Sequence, residues 1–228
     1  MDKYISVAAA VSRNDAKTLI RKGNVSVNDM VVKSIDFKVS DSDMVCVTGK
    51  KVCYKEFVYL VMNKPAGVLS ASSDKRVKTV IDLVPEEYRH YTLFPVGRLD
   101  KDTTGLLLIT NDGDFAHKVI SPKSNIDKKY HVVLDGQVTD EHIDSFARGV
   151  VLADGTECYP AKLEKSGDFE AYITIREGKY HQVKRMFGVV GLGVNKLRRL
   201  SVGDLLLPKD LGEGECRELT REELLLLR

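Results

Sequence analysis

The chain has 228 residues, of which 43% are hydrophobic and 30% charged, and this composition excludes wholesale disorder. The formal charge is only +2, so net charge alone does not indicate a nucleic-acid partner. No apolar run approaches the roughly 20 residues of a membrane-spanning helix, and the start at Met1-Asp2-Lys3-Tyr4 lacks a signal-peptide core, so we expect a cytoplasmic protein with no membrane partner.

Residues 1–48 are predicted to form a separate small unit that begins with two helices. The first helix is predicted from apolar residues that fall on one side, namely Ile5, Val7, Ala8 and Val11. Ser12 is a suitable N-cap for the second helix, and Asp15 lies in its first turn. That helix is predicted to end at Arg21-Lys22-Gly23, where a basic last turn is followed by glycine.

A small sheet is predicted to complete this unit. Val25-Ser26-Val27 alternates as a strand, Asn28-Asp29 forms a tight turn, and a third strand lies at Met44–Val47. Residues 49–57 read as a linker or an exposed edge.

Four basic residues cluster on the second helix and its end, and they admit two interpretations. They are either a solvated helix face or a patch that contacts phosphates. The set comprises Arg13, Lys17, Arg21 and Lys22. The order helix–helix–hairpin, with Gly23-Asn24-Val25-Ser26-Val27-Asn28, resembles the small αL RNA-binding domain of the S4 type. That resemblance implies an RNA partner.

The larger domain is predicted over 58–228, where strands and helices alternate without a regular βαβ repeat. Strands are predicted at 58–62, 106–109, 130–134, 171–175 and 205–207. Helices are predicted from Asp114 to Val119, from Thr139 to Gly149, over 182–190 and after Thr220. We therefore expect an α+β fold with a mixed, largely antiparallel sheet.

Metal and nucleotide cofactors lack their usual sequence patterns. No cysteine pair has zinc-knuckle spacing, the five histidines form no HxxxH or HxH pair, and Walker and GxGxxG motifs are absent. We expect no cofactor and no metal. The four cysteines, at positions 46, 53, 158 and 216, are expected to be reduced thiols.

The densest polar segment runs from Pro95 to Gly105 and leads directly into an apolar strand. It holds Arg98 and Asp100 two residues apart. A carboxylate on a loop that leads into a core strand is held rigidly, as a nucleophile requires, although a plain turn explains the same pattern.

The residues of this segment resemble the signature of the RsuA family of pseudouridine synthases. The matching residues are Gly97-Arg98-Leu99-Asp100, Thr103, Gly105-Leu106-Leu107-Leu108 and Thr110-Asn111-Asp112-Gly113. The resemblance implies that Asp100 is the nucleophile. It further implies an enzyme that isomerises uridine in ribosomal RNA, and the branch most similar to this chain modifies uridine 516 of 16S rRNA.

Three further segments resemble motifs of the same family. Asn63-Lys64-Pro65-Ala66-Gly67 resembles its first motif. Lys128-Lys129-Tyr130 resembles its Lys-x-Tyr motif, which implies that Tyr130 lies against the target base. The segment from Glu177 to Phe187 resembles its third motif and makes Lys184 the basic partner of Asp100.

The third motif also contains a concentrated positive charge. Residues 176–199 hold seven Lys/Arg and a single acidic residue, Glu177. Such a segment is either a solvated basic face or a local field that attracts RNA. Val183, Met186, Phe187 and Val190 form one apolar helical face, which leaves Lys184 beside the face and His181 and Arg185 opposite, free to meet phosphate. The predicted RNA contacts in this domain are Arg98, Lys179, His181, Arg185 and Arg199.

Several functions fit these residues. The first is a monomeric rRNA pseudouridine synthase acting on small-subunit RNA or an assembling small subunit. A sibling enzyme of large-subunit rRNA and a non-catalytic RNA-binding assembly protein are alternatives; only catalysis needs Asp100 together with Tyr130 and Lys184. A hydrolase using Asp100 and Asp102 as paired carboxylates is disfavoured, because adjacent turn aspartates are usually solvated.

Overall fold

A computed structural model describes residues 1–40, 42–52 and 54–227. The chain divides into two compact units. The first contains residues 1–58 and 86–92, and the second contains the rest of the described chain. Among the described residues, every helix is too short or too polar to cross a bilayer.

Two short helices begin the first unit: α1 spans Asp2–Ala8 and α2 spans Arg13–Arg21. The N-cap prediction is confirmed, because the Ser12 hydroxyl accepts the Asp15 N–H at 3.1 Å. The predicted end of α2 is also confirmed, with Gly23 at φ +75°. The extension of α1 to Val11 is wrong, since Ala10 adopts φ +53° and interrupts the helix.

A four-stranded antiparallel sheet completes this unit in the order β2-β1-β3-β4. The strands are β1 (Val25–Val27), β2 (Met30–Val31), β3 (Val45–Val47) and β4 (Lys50–Val52). Asn28 and Asp29 both have positive φ, which is the backbone that a two-residue hairpin turn requires. The strand β4 is an edge strand and lies inside the stretch 49–57. The core is formed by buried side chains of both helices and the sheet, including Ile5, Ala16, Ile20, Val25 and Val45.

The second unit is built on one nine-stranded sheet. Its strands are β5 (Tyr59–Lys64), β6 (Phe94–Pro95), β7 (Thr104–Thr110), β8 (Lys128–Leu134), β9 (Lys162–Gly167), β10 (Glu170–Ile175), β11 (Val194–Val202), β12 (Leu205–Leu206) and β13 (Cys216–Glu218). The main path is β13-β5-β7-β11-β8-β10-β9, with β12 on β11 and β6 on β7. Only the β7–β11 pair is parallel among the described strands, so the predicted mixed, largely antiparallel sheet is confirmed.

Four helices accompany this sheet: α3 (Gly113–Ile120), α4 (Asp140–Arg148), α5 (Gln182–Val189) and α6 (Arg221–Leu225). Thr139 and Thr220 cap α4 and α6 as predicted, each within a capping box. The predicted cap of α3 at Asp114 is wrong. Asp112 holds that position and accepts the Phe115 N–H at 3.0 Å, while Asp114 lies in the first turn.

The strand β7 is the centre of the unit and carries the candidate nucleophile's loop at its beginning. Its residues Leu106–Ile109 are buried, and Leu106 and Leu108 belong to a hydrophobic core cluster of this unit. Gly105 has φ +99° and pairs with Arg199 across the parallel β7–β11 ladder. The loop that ends at Thr103 is therefore attached to the most buried strand of the fold.

Candidate active site

Asp100 lies on a loop that is tied down on both sides of it. The hydroxyl of Ser70, which is buried, donates to the Leu99 carbonyl at 2.9 Å and accepts the Leu99 N–H at 3.1 Å. The Thr103 N–H donates to the Asp100 carbonyl at 3.1 Å and closes the next turn. The Asp100 side chain is 24% exposed and lines a cleft.

Lys64 holds the same loop through hydrogen bonds to its backbone carbonyls. Its side chain is fully buried, and its Nζ donates to the carbonyls of Pro65 at 2.9 Å, Lys101 at 3.3 Å and Thr103 at 2.9 Å. Burial lowers the pKa of Lys64 to about 8, against the opposing influence of Asp102 and Asp100. The first family motif contains Lys64, but sequence reasoning attached no role to it. The available signal was a lysine placed directly at the end of an apolar strand.

Lys184 reaches the nucleophile's loop from α5, but it contacts two carboxylates there. Its Nζ lies 3.5 Å from Asp100 Oδ2, and it donates to Asp102 Oδ1 and Oδ2 at 2.6 and 2.7 Å. The hydrogen bond from Lys184 holds the pKa of the Asp102 carboxyl below its usual range. Asp102, assigned to a solvated turn by sequence reasoning, is therefore the nearer partner of Lys184.

His181 also faces the nucleophile. Its Nε2 lies 3.4 Å from Asp100 Oδ1. His181 is also the N-cap residue of α5, with a φ of +46°. Arg185, which the sequence predicts to meet phosphate, has an acidic partner within the protein: its Nη2 lies 2.5 Å from Asp154 Oδ2. Three residues of the predicted apolar face, Val183, Met186 and Phe187, are buried on α5, whereas the fourth, Val190, lies beyond the end of the helix and is half-buried.

Tyr130 lies on β8 and lines the same cleft as Asp100. Two adjoining pockets share Arg98, Tyr130 and Gly178 in their walls, and Asp100 lines one of them. Tyr130 is 7% exposed and is paired across the sheet with Ile173 and Arg199. The fold thus brings Asp100, Tyr130 and Lys184 to one region although they lie far apart in the sequence.

The comparisons with known proteins agree with this geometry. Residues 58–188 match the family model of RNA pseudouridylate synthases, and residues 2–45 match the S4 domain. The chain belongs to the RNA pseudouridylate synthase family. It is therefore a pseudouridine synthase, an isomerase, and it carries an N-terminal S4 domain.

Synthases named for the small and for the large ribosomal subunit are both similar to this chain over nearly its full length. It is 40% identical to a ribosomal small subunit pseudouridine synthase A of Vibrio cholerae, over 98% of this chain and 97% of that protein. It is also 40% identical to a ribosomal large subunit pseudouridine synthase B of Bacillus subtilis, over 100% and 95%. A solved pseudouridylate synthase superposes with a TM-score of 0.72 at 36% identity, covering 100% of this chain and 98% of that one.

The predicted RNA contacts of the synthase domain differ in exposure. Arg98 is exposed at the rim of the cleft. Lys179 is half-buried, and its Nζ contacts Glu177 and donates to the Glu157 carbonyl at 2.9 Å. Arg199 is only 5% exposed and its Nε donates to the Leu106 carbonyl at 2.7 Å, so its burial does not fit the predicted contact with phosphate.

The basic residues predicted on the S4 domain of the synthase lie outward. Arg13, Arg21 and Lys22 are exposed, and Lys17 is half-buried with its Nζ 4.0 Å from Asp2. Three cationic side chains on one helix and its end are consistent with contacts to a phosphate backbone.

Residues that bind metals in other proteins are dispersed here. Over the described ranges, no three His, Cys, Asp or Glu side chains cluster as metal ligands do. Cys46 and Cys158 are free thiols, while Cys53 lies outside the described residues.

Proposed function

We propose that this synthase converts one uridine of ribosomal RNA to pseudouridine, with Asp100 as its nucleophile and uridine 516 of 16S rRNA as its target. The observation that carries the proposal is the position of Asp100. It is a partly buried carboxylate on an anchored loop, lining a cleft with Tyr130 and lying 3.5 Å from the Lys184 ammonium. The small-subunit target rests on the similarity to the Vibrio cholerae enzyme. The equal similarity to the Bacillus subtilis enzyme makes a large-subunit uridine the second candidate.

The reaction needs no added atom or electron. The bond between N1 of uracil and C1′ of the ribose breaks, the base turns within the cleft, and C5 bonds to C1′. The proton on C5 is released, and N1 ends protonated. Asp100 acts as the nucleophile that carries the nucleotide through the exchange, while Lys184 balances the negative charge of the carboxylate before and after.

The target uridine must leave its stack before Asp100 can reach it. Extrusion of a base costs a few kcal/mol, which contacts elsewhere on the RNA must offset. Tyr130 supplies an aromatic wall for the extruded base within the cleft. Arg98 is exposed at the rim and can fill the space that the base has left. Cations on α2 add contacts to phosphates.

Asp100→Ala is the direct test of the nucleophile. RNA labelled with tritium at C5 of uridine releases tritium when pseudouridine forms, and we expect Asp100→Ala to release none while RNA binding is retained. Asp114→Asn is the matched control, because Asp114 is an exposed aspartate in the first turn of α3. Undiminished release by Asp100→Ala would refute the role of Asp100.

Lys184→Met should lower the rate of tritium release strongly without unfolding the protein. An unchanged rate would show that Lys184 has no role in the site.

The target is tested by mapping pseudouridines in ribosomal RNA from cells with and without this protein. Loss of the modification at uridine 516 of 16S rRNA is the expected result. Loss at a 23S position instead would establish the large-subunit alternative. Unchanged modification of both RNAs would overturn the rRNA assignment.

A further inference from the structure

An aromatic pair extends from the active-site cleft to the surface, with His181 in the wall of the cleft and Tyr180 outside it. The rings of Tyr180 and His181 are stacked, with centroids 3.9 Å apart and planes 17° from parallel. His181 Nε2 lies 3.4 Å from Asp100 Oδ1, whereas Tyr180 is 75% exposed. The pair therefore leads from the nucleophile to open solvent.

The backbone that carries these rings is held in place. His181 has the left-handed φ of +46°, which few non-glycine residues adopt. The Arg185 guanidinium donates to the Tyr180 carbonyl at 3.3 Å and is itself fixed by Asp154 at 2.5 Å. Gln182 Oε1 accepts the Lys179 N–H at 2.9 Å on the other side of the pair. The rings thus form a preorganised surface.

An exposed, flat and anchored ring next to a catalytic carboxylate is suited to a specific ligand. A tyrosine ring that is already stacked on one face offers its other face to a planar group. Nucleobases are such groups, and stacking on an aromatic side chain is tolerant of base identity because each base has a π-face. Removal of the target uridine from its stack leaves the neighbouring base with one face uncovered.

We propose that Tyr180, supported by His181, is a binding subsite for the nucleobase next to the target uridine. This inference rests on the proposed function and adds a recognition element to it. Tyr130 is 7% exposed and lies within the cleft, so it suits the extruded base; Tyr180 lies outside and suits the base that stays in the strand. The subsite contributes affinity and offsets the cost of extrusion, and it does not read sequence.

The test compares the affinities of Tyr180 variants for intact and abasic RNAs. All proteins carry Asp100→Asn, which prevents turnover. The probe is a short RNA that spans the uridine modified by the wild-type protein in a 16S or 23S transcript. It is made intact and also with an abasic nucleotide on the 5′ or the 3′ side of that uridine. Tyr180→Ala should weaken binding to the intact RNA by about 5- to 150-fold, the range for one stacked base.

The controls separate stacking from other effects. Tyr180→Phe keeps the ring and should bind within about twofold of the parent, whereas Tyr180→Leu keeps an apolar side chain without a ring and should lose affinity as alanine does. Phe169→Ala removes an aromatic that is 49% exposed on the β9–β10 hairpin and should leave affinity unchanged. Thermal unfolding confirms that each variant is folded.

The abasic RNAs decide the outcome. On one of them the parent and Tyr180→Ala should bind equally, because the stacking partner is missing. An equal loss on intact and abasic RNAs, or no loss on the intact RNA, would overturn the subsite while the proposed function stands. If ribosomal RNA from cells without this protein keeps all of its pseudouridines, the proposed function itself fails.

Discussion

Gly105 is the position where the smallest change should have the largest structural effect. It has φ +99°, and a Cβ built there would lie 2.2 Å from the Arg199 carbonyl oxygen and 2.9 Å from the Arg199 nitrogen. Both atoms belong to the backbone of β11, so no side-chain rotation relieves the overlap. Gly105→Ala must therefore separate β7 from β11 or change its own backbone.

The expected loss of stability follows from two contributions. A non-glycine residue at such a φ costs about 1–3 kcal/mol. Separating the strands also weakens the buried hydrogen bond from Arg199 Nε to the Leu106 carbonyl, now 2.7 Å long, which contributes about 1.5–3 kcal/mol as a bond to a charged group. Together these predict a loss of about 2.5–6 kcal/mol, or a fall in Tm of about 5–24 °C for a chain of this size.

Thermal and urea unfolding of Gly105→Ala measure this loss, and tritium release reports on the loop that carries Asp100. Gly113→Ala is the matched control, because Gly113 begins α3 with an ordinary φ and a Cβ there meets nothing within 4 Å. It should change stability by less than about 1 kcal/mol. A Gly105→Ala protein that melts within about 3 °C of wild type would refute the argument from the β7–β11 contact.

Three further predictions concern charged residues. Burial lowers the pKa of Lys64 from 10.5 to about 8, so the unfolded chain binds more protons than the folded chain between these two pH values. The free energy of unfolding should therefore rise with pH across this range, by up to about 3 kcal/mol. Urea titrations at pH 8 and 10.5 measure this rise, which Lys64→Met should lack. The Asp102 side chain is 72% exposed, so Asp102→Asn should cost less than about 1 kcal/mol of stability despite losing its pair with Lys184; a larger loss in chemical unfolding would contradict this. Arg199→Met should lower the free energy of unfolding by at least about 2 kcal/mol without altering the salt dependence of RNA binding. Arg13→Met should reduce the slope of log binding constant against log salt concentration by about 0.7–0.9 and leave stability unchanged. The opposite pattern would show that Arg199 contacts RNA.

The sequence patterns did not predict the two polar strands at the edges of the large sheet. The strands β9 and β13 were not predicted, since β9 reads Lys-Leu-Glu-Lys-Ser-Gly and β13 reads Cys-Arg-Glu, with little apolar alternation in either. Both lie at the ends of the large sheet, where one neighbour supplies the hydrogen bonds and little apolar surface is buried. Their pairing partners, rather than their side chains, make them strands.

Features that depend on a few adjacent residues were determined by the sequence itself. The caps at Ser12, Thr139 and Thr220 and the turn at Asn28-Asp29 are local, because a side chain satisfies a backbone N–H three residues away or tolerates a positive φ. The apolar face of α5 likewise follows from the helical period alone.

Only the tertiary structure decided how the charges of the site are shared. Lys64 and Arg199 look like solvent-exposed cations in the sequence, yet both are buried against backbone carbonyls of distant segments. Lys184 lies closer to Asp102 than to Asp100, a difference of about 1 Å set by how α5 packs beside the loop. Partners separated by tens of residues are chosen by the packing of whole elements, and no local pattern records that choice.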